Sequence, residues 1–485
     1  MTRVLKSCLI IMVLNFDMIF PLKQYGSQLA VVTEDGQEIS YLLLGDLVNT
    51  VNEVISEKKG LTFCLCHNSL GSLVGYLAML QGKIPAVMLD GDKNGAVVRN
   101  LIDVYKPTFL WLPKDRNKEF GGDEIFCCEN YSLVKVAEHT PYEIHPDVAL
   151  LLTTSGSTGS PKLVKLTEKN LLSNAESIAQ YLDITYEERP ITSLPMHYSF
   201  GLSVINSHLL KGATLLLTDK PVIQKEFWKF VKEQSATSLS GVPYTYEMLK
   251  RLKIFQMDLP ALRTMTQAGG KLNAKIAQEY IESAKATGKR FIIMYGQTEA
   301  TARMSYLPED VAREKYASIG VAIPGGKFSL IDTDGNEIVT ADVDGELIYE
   351  GANVSMGYAE SIADLAKGDE NNGVLHTGDV ARRDNDGYYY ITGRLKRFVK
   401  IWGNRCNLDA IEQIVKTDVT TNCACSGVDD KIVVFVTENG NEGRIKSLLC
   451  EMTGLNVRAF TVKQIDVIPK NTSGKILYAE LQKMI

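Results

Sequence analysis

LLLTTSGSTGSPKLVKLT, residues Leu150–Thr167, decides how the rest of the chain is read. An apolar run from Val148 to Leu152 predicts a buried strand, and Glu168–Leu182 carries Leu171, Leu172, Ala175, Ile178, Ala179 and Leu182 at helical spacing. The spacing therefore predicts strand, glycine-hydroxyl loop, helix, with Thr167 as the N-cap. In such a setting backbone N–H groups and a helix N-terminus hold phosphate oxygens. Gly156 and Gly159 allow close backbone approach, Ser155, Ser157 and Thr158 offer hydroxyls, and Lys162 adds a mobile cation. The lysine is followed by Leu163 rather than a Mg-binding hydroxyl, which argues against a Walker loop. A polar turn before a surface helix is the plainer alternative.

Outward from this stretch the pattern is that of a large α/β protein. Before it, a hairpin (VVTEDG then EISY) leads into helices at Leu43–Glu57, Ser69–Gln81 and Asn94–Tyr105, which alternate with strands at Leu61–Cys66, Ile84–Leu89 and Thr108–Leu112. After it, Ile191–Leu194, Ala213–Leu217, Thr237–Ser240, Arg263–Gln267 and Phe291–Tyr295 read as strands, and the segments between them read as helices. This predicts a second doubly wound sheet. From Ser318 to Thr392 short strands separated by DTDG, DVDG and DNDG turns predict a small β-barrel-like unit. Beyond Arg394 a strand at Ile432–Thr437, a helix at Glu442–Met452, a strand at Phe460–Ile468 and a short helix from Leu477 predict a small α+β domain. The expected division is 1–394 and 395–485, hinged at Leu395–Arg397.

Composition narrows the function class. With 485 residues the chain exceeds one ordinary core. A net charge of −6 leaves no electrostatic footprint for general nucleic-acid binding. Nine scattered cysteines without zinc-type spacing read as reduced, mostly structural thiols. At the N-terminus Arg3 and Lys6 precede an apolar run from Cys8 to Leu14, but Asn15 and Asp17 interrupt it and no small-x-small cleavage site follows. Nothing else approaches the ~18 apolar residues of a membrane span. A cytoplasmic enzyme with access to ATP is the expectation.

Three further stretches carry chemistry. MYGQTEAT, Met294–Thr301, follows an apolar strand and combines an aromatic face, a hydroxyl and a carboxylate suited to a hard cation. LHTGDVARRDNDGYYYITGR, Leu375–Arg394, reads as a hairpin presenting Asp379 at one end and Arg394 at the other; a carboxylate can accept a diol and a guanidinium can donate to it. PKNTSGKIL, Pro469–Leu477, holds Lys475 in a Gly-Ser loop. Taken alone, each has an ordinary structural reading: a polar strand end, a surface hairpin, an exposed lysine.

In this order these segments resemble the adenylate-forming superfamily: acyl- and aryl-CoA synthetases, nonribosomal adenylation domains, D-alanine:carrier protein ligases and luciferases. Leu163 departs from that family, which most often has glycine there. The resemblance implies ATP, Mg2+ and a thiol acceptor, either coenzyme A or the phosphopantetheine of a separate acyl carrier protein. It assigns Thr154, Ser155, Gly156, Ser157, Thr158, Gly159 and Lys162 to the phosphate loop of the ATP site, Tyr295 to adenine, Gly296 to the ATP site, Thr298 to phosphate, Glu299 to Mg2+, and Asp379 and Arg394 to ribose. Lys475 would meet the negative charge developing between carboxylate and α-phosphate, with Thr298 and Glu299 beside it in catalysis. Lys396 falls at the hinge, and Gly403 where a glycine lines the pantetheine channel. Lys396, Arg397, Lys400 and Arg405 read equally as a solvated basic face or a carrier-docking face.

The acid pocket is expected at Tyr198, Phe200, Gly201, Gly241, Pro243, Tyr244, Gly269 and Gly270. Amino-acid-activating relatives have an aspartate where this chain has Gly201. A buried ammonium without a partner is unfavourable, so plain carboxylic acids are expected over free α-amino acids. Tyr198 stands where many relatives carry histidine. The implied reaction is acid activation as acyl-adenylate followed by transfer to a pantetheine thiol; the alternative is an amino-acid ligase that loads a carrier protein.

Overall fold

The computed structural model describes residues 19–55, 60–136, 141–153, 162–419, 422–470 and 476–485. Among these, two large sheets dominate. The first has the order Tyr358–Ala359, Leu163–Leu166, Leu150–Thr153, Ala86–Asp90, Thr62–Cys66, Phe109–Pro113, Tyr131–Lys135, Asp123–Cys128, with a parallel centre and antiparallel flanks. The second runs Val321–Ala322, Ser305–Tyr306, Arg290–Tyr295, Thr264–Gln267, Ser238–Gly241, Pro190–Ile191, Leu215–Leu217, Leu29–Thr33, Glu38–Ser40 and is parallel from Arg290–Tyr295 through Leu29–Thr33.

Helices Leu70–Gln81 and Ser199–Leu209 explain how the two sheets share a core. Leu70–Leu80 is buried throughout, as is every residue of Ser199–Leu209, and apolar side chains surround both axes. A helix apolar on all sides must be covered on all sides. Leu73, Tyr76 and Leu77 join Leu202, Ile205 and Leu209 in one cluster that also takes Phe109 and Leu150 from one sheet and Val31 and Leu215 from the other. Tyr76 Oη donates to Asn206 Oδ1 at 3.0 Å across the helix pair, so the polar atoms in this layer are matched.

Three sequence expectations change. The hairpin expected to open the first sheet forms, but Leu29–Thr33 pairs in parallel with Leu215–Leu217 and closes the edge of the second sheet. Alternation along the chain fixes the strands and not their sheet, and Val31 is needed in the inter-sheet core. The central stretch is not strand, loop, helix: Leu163–Leu166 is itself a strand, antiparallel to Leu150–Thr153 with Thr153 opposite Leu163. Leu163, Val164 and Leu166 are buried, the enclosed Lys165 is paired with Glu370 and two carbonyls, and such a segment next to a partner edge is more stable as strand than as loop. Residues 154–161 therefore join two strands of a hairpin, and the helix Glu168–Tyr181 starts beyond it. Its N-terminus is satisfied by Thr167 and Asn170 in a reciprocal capping box, which leaves no call on a phosphate there. The third change is an addition: Asp123–Cys128 and Tyr131–Lys135 extend the first sheet through a turn with Glu129 and Asn130 both at positive φ.

The small β unit after Ser318 is a four-stranded antiparallel sheet, Gly326–Ile331, Gly345–Gly351, Val374–Arg383 and Tyr389–Arg394 in that order. Backbone bonds between Tyr389 and residues 319–320 tie it to the second large sheet. Residues after Arg394 have their own core of Val399, Ile401, Leu408, Ile411, Val415, Val434, Ile445, Leu449 and Phe460. It is built from the hairpin Phe398–Ile401/Asn404–Asn407, helices Leu408–Asp418 and Glu442–Thr453, and a sheet of Cys423–Val428, Lys431–Val436 and Phe460–Gln464. The first hairpin, the helix Leu408–Asp418 and the strand Cys423–Val428 are not resolved by the sequence pattern. Among the described residues no helix is long and apolar enough to cross a membrane, and the described cysteines are unpaired.

Candidate nucleotide and acid site

The parallel strands of the second sheet end on one side, and the loops that leave them carry most of the expected site residues. Ligands of open α/β sheets collect outside the carboxyl ends of the strands. Tyr295 ends the strand Arg290–Tyr295, after which the chain doubles back so that Met304 N–H donates to Tyr295 O at 2.8 Å. A Cβ on Gly296 would lie 1.8 Å from Ala302 O, so only glycine permits this reversal.

The reversal brings Tyr295 and Gln297 to Asp379. The Asp379 side chain is only 2 % exposed. Its Oδ2 accepts from Tyr295 Oη at 2.5 Å and from Gln297 Nε2 at 2.8 Å, and its Oδ1 accepts from Arg394 Nε at 2.9 Å. Asp379 and Arg394 meet because they are directly opposed across the Val374–Arg383/Tyr389–Arg394 ladder. Burial and then the Asp379 charge hold the Tyr295 phenol well above its ordinary range, and the same carboxylate keeps the Arg394 guanidinium firmly protonated. The hairpin thus presents a carboxylate and a guanidinium side by side, as expected.

Thr298 and Glu299 follow in a short 3-10 turn, Thr298–Ala300. Thr298 Oγ1 lies 3.1 Å from Ser199 Oγ at the start of the buried helix Ser199–Leu209. Glu299 Oε1 accepts from Tyr358 Oη at 2.8 Å, while Lys162 Nζ stands 5.2 Å from the Tyr358 ring centroid and 2.5 Å from Glu360 Oε1. Pairing of Tyr358 opposite Val164 makes this meeting possible. The mouth of the hairpin at Lys162 is thereby placed beside Glu299. The candidate loop residues Thr154, Ser155, Gly156, Ser157, Thr158 and Gly159 lie outside the described residues.

Several of the residues expected at the acid pocket lie close together. Tyr198, Phe200, Val242 and Ala268 share one apolar cluster with Tyr181, Ile292 and Met294. A Cβ on Gly269 would meet Tyr198 Oη at 2.6 Å, one on Gly270 would meet Pro243 Cγ at 3.2 Å, and one on Gly241 would meet the Thr245 side chain at 2.9 Å. Gly201 is placed differently from the expectation of a pocket wall: its missing side chain faces the Leu194–Pro195 backbone, with Pro195 O 2.2 Å from where a Cβ would sit. The close start of the helix imposes glycine there.

In the C-terminal part, Lys396 is exposed within the turn Leu395–Arg397, and Gly403 sits with Trp402 at the tip of the hairpin that follows. Arg397, by contrast, is buried. It bonds Asp409 at 2.5 Å, Glu412 at 3.3 Å and Cys425 O at 3.1 Å, and stacks 3.6 Å from the Tyr478 ring centroid. This removes it from the basic face read in the sequence, because two carboxylates and a ring claim it. The side chain of Arg405 and the whole of Lys475 lie outside the described residues. Lys470 and Ile476 form a β-bridge, and Lys470 Nζ stands 5.3 Å from the ring centroid of Tyr244 beside Pro243.

Residues that the sequence reading did not single out are Gln297, Ser199, Tyr358 and Glu360. Gln297 sits inside a quoted motif and was within reach; the others come from 59 or more residues away from their partners in the chain and needed the topology.

A two-sheet α/β scaffold with a carboxylate, a guanidinium, a phenol and a hydroxyl converging at the strand ends defines a protein of the nucleotide-binding α/β class. Comparison makes this specific. Residues 23–359 match the model of the AMP-binding enzyme family, and the chain belongs to that family. It is 31 % identical over 365 residues to a long-chain-fatty-acid–CoA ligase of Escherichia coli O6:H1, covering 70 % of this chain and 62 % of the ligase. It is 29 % identical over 354 residues to a feruloyl-CoA synthase of an Amycolatopsis species, covering 70 % of each chain. Its fold is that of o-succinylbenzoate CoA synthetase from Bacillus subtilis (TM-score 0.76, 21 % identity, 95 % of this chain and 97 % of that one). It is equally that of ATP-bound MatB from Rhodopseudomonas palustris (TM-score 0.79, 22 % identity, 94 % and 96 %). The family match ends before Asp379 and Arg394.

Proposed function

We propose that the chain activates a carboxylic acid with ATP. A carboxylate oxygen attacks the α-phosphorus, pyrophosphate leaves, and the thiol of coenzyme A then attacks the carbonyl carbon and expels AMP. The observation that carries this reading is that one short segment, 295–299, joins Asp379 and Arg394 through Tyr295 and meets Tyr358, beside Lys162, through Glu299. Tyr295, Gln297 and Arg394 take three of the roughly four lone-pair sites of Asp379, so a ribose diol can enter by replacing the phenol. Thr298 would donate to a phosphate oxygen. Lys162 would exchange its exposed partner Glu360 for phosphate, an exchange of one weak surface pairing for another charge.

Glu299 fits Mg2+ in the way that cation is usually held, through one or two carboxylates together with substrate phosphates: one of its oxygens is taken by Tyr358, and no cluster of three metal-binding side chains stands among the described residues. When bound, the ion would neutralise charge on the phosphates. Residues 395–485 are proposed as a unit that turns about Lys396, with Gly403 on the path of the pantetheine arm. Its separate core and its limited ties, such as Asn407 Nδ2 to Thr392 O at 2.8 Å, support this. Coenzyme A is the favoured acceptor because the similar sequences are named as CoA ligases and synthases. A carrier protein would offer the same thiol, and either acceptor suits the cytoplasm. The test is pyrophosphate release from Mg-ATP, with hydroxylamine as trap, across fatty, aryl, hydroxy and amino acids. Acid-dependent release is expected; none with any acid would overturn the proposal, and release with α-amino acids alone would transfer it to the carrier-loading reading.

A further inference from the structure

Arg303 is buried without a counter-ion. Its side chain is among the largest fully enclosed ones, 2 % exposed, yet every partner it has is neutral. Nε donates to Ser203 Oγ at 3.1 Å, Nη1 to Tyr181 Oη at 3.3 Å and to Met294 Sδ at 3.5 Å, and the guanidinium carbon lies 5.0 Å from the Phe200 ring centroid. Among the described residues no carboxylate reaches it, and Nη2 has no hydrogen-bond acceptor. Other enclosed cations of this protein are paired: Lys165 with Glu370 and two carbonyls, Arg397 with Asp409 and Glu412. A guanidinium taken out of water and left with neutral acceptors is unfavourable, and an anion reaching it would offset that cost.

The position says which anion. Tyr181, Phe200 and Met294 belong to one apolar cluster, against which Tyr198 packs; Phe200 and Tyr198 are both expected in the wall of the acid pocket. Ser203, which holds Nε, lies on the same helix as Ser199, which touches Thr298. Four residues of helix separate the two serines, one turn, or about 6 Å. We infer that Arg303 is the counter-cation for a second anionic group on the substrate, so that the acid activated is a short dicarboxylate whose far carboxylate lies about one helical turn from the reacting one. This rests on the adenylation proposed above. The far carboxylate would take the free Nη2 and share Nη1, the two-pronged arrangement that guanidinium and carboxylate favour.

The test compares three-, four- and five-carbon dicarboxylic acids with their monomethyl esters and with plain acids of equal length, by pyrophosphate release from Mg-ATP. For the wild-type protein at least one dicarboxylate should exceed its monoester by roughly 10- to 100-fold in kcat/KM, carried mainly by KM, which is what a charged hydrogen-bond pair supplies. In Arg303→Met that ratio should collapse towards one, and Arg303→Lys should restore part of it. Because the wild-type comparison needs no variant, a misfolded Arg303→Met would not rescue the inference. Plain acids or monoesters used as well as every dicarboxylate would overturn it while leaving adenylation standing. No release with any acid would instead defeat adenylation, and this inference with it.

Discussion

Asp379 is the residue on which the proposed nucleotide recognition turns. It is buried, bonded by Arg394 at one oxygen and by a phenol and an amide at the other. Asp379→Asn keeps the shape, removes the charge and leaves Arg394 without its partner. Hydrogen bonds to charged groups contribute about 1.5–3 kcal/mol, so KM for ATP should rise roughly 10- to 100-fold with a smaller change in kcat. Steady-state kinetics at saturating acid measures this, and an unchanged KM for ATP would remove Asp379 from the site. Sequence alone reached this residue and Arg394, because a tight DNDG turn sets the register of the hairpin and so opposes them. It could not reach the neutral partners of Arg303, which converge from a helix end, a second helix and a strand.

At the scale of elements, the buried helix Ser199–Leu209 joins the acid pocket to the inter-sheet core. It also carries a titrating group: His208, fully enclosed, donates from Nδ1 to Val204 O at 2.7 Å. Burial, helped by the charge of Arg303, pushes its imidazole down from the ordinary 6.5 to about 4. The unfolded chain therefore binds the proton more readily between these values. This share of stability is complete above pH 6.5 and is lost as the pH falls towards 4. Denaturant midpoints measured from pH 7 to 4 should fall more steeply for the wild type than for His208→Gln; equal slopes would contradict this reading. Elements were legible where periodicity was strong, and less so where pairing decided. The segment LVKL could be read as the tail of a loop, yet it is a strand because Leu150–Thr153 offers an edge. The opening hairpin was found and assigned to the wrong sheet, since its partner Leu215–Leu217 lies far along the chain.

For the whole molecule, the account requires two parts that meet differently in the two half-reactions. Arg397, bound to Asp409, Glu412 and Tyr478, fastens the residue after the proposed pivot into the small domain, next to the helix Tyr478–Gln482 that follows Lys475. A turn at Lys396 would thus carry the helix Tyr478–Gln482 with the small domain. Lys475→Ala should lower adenylate formation by ~10²–10³, the typical cost of losing one preorganised charge, and leave thioester formation from supplied acyl-adenylate near the wild-type rate. Equal loss in both half-reactions would show that the lysine serves no separate adenylation state.

The central claim is that an acyl-adenylate is formed, and isotope transfer tests it most directly. An acid carrying 18O in both carboxylate oxygens, turned over with Mg-ATP and coenzyme A, should yield AMP bearing one 18O, because the attacking oxygen stays on phosphorus when the thiol displaces AMP. Label in orthophosphate with ADP as the nucleotide product, or AMP free of label, would contradict the account.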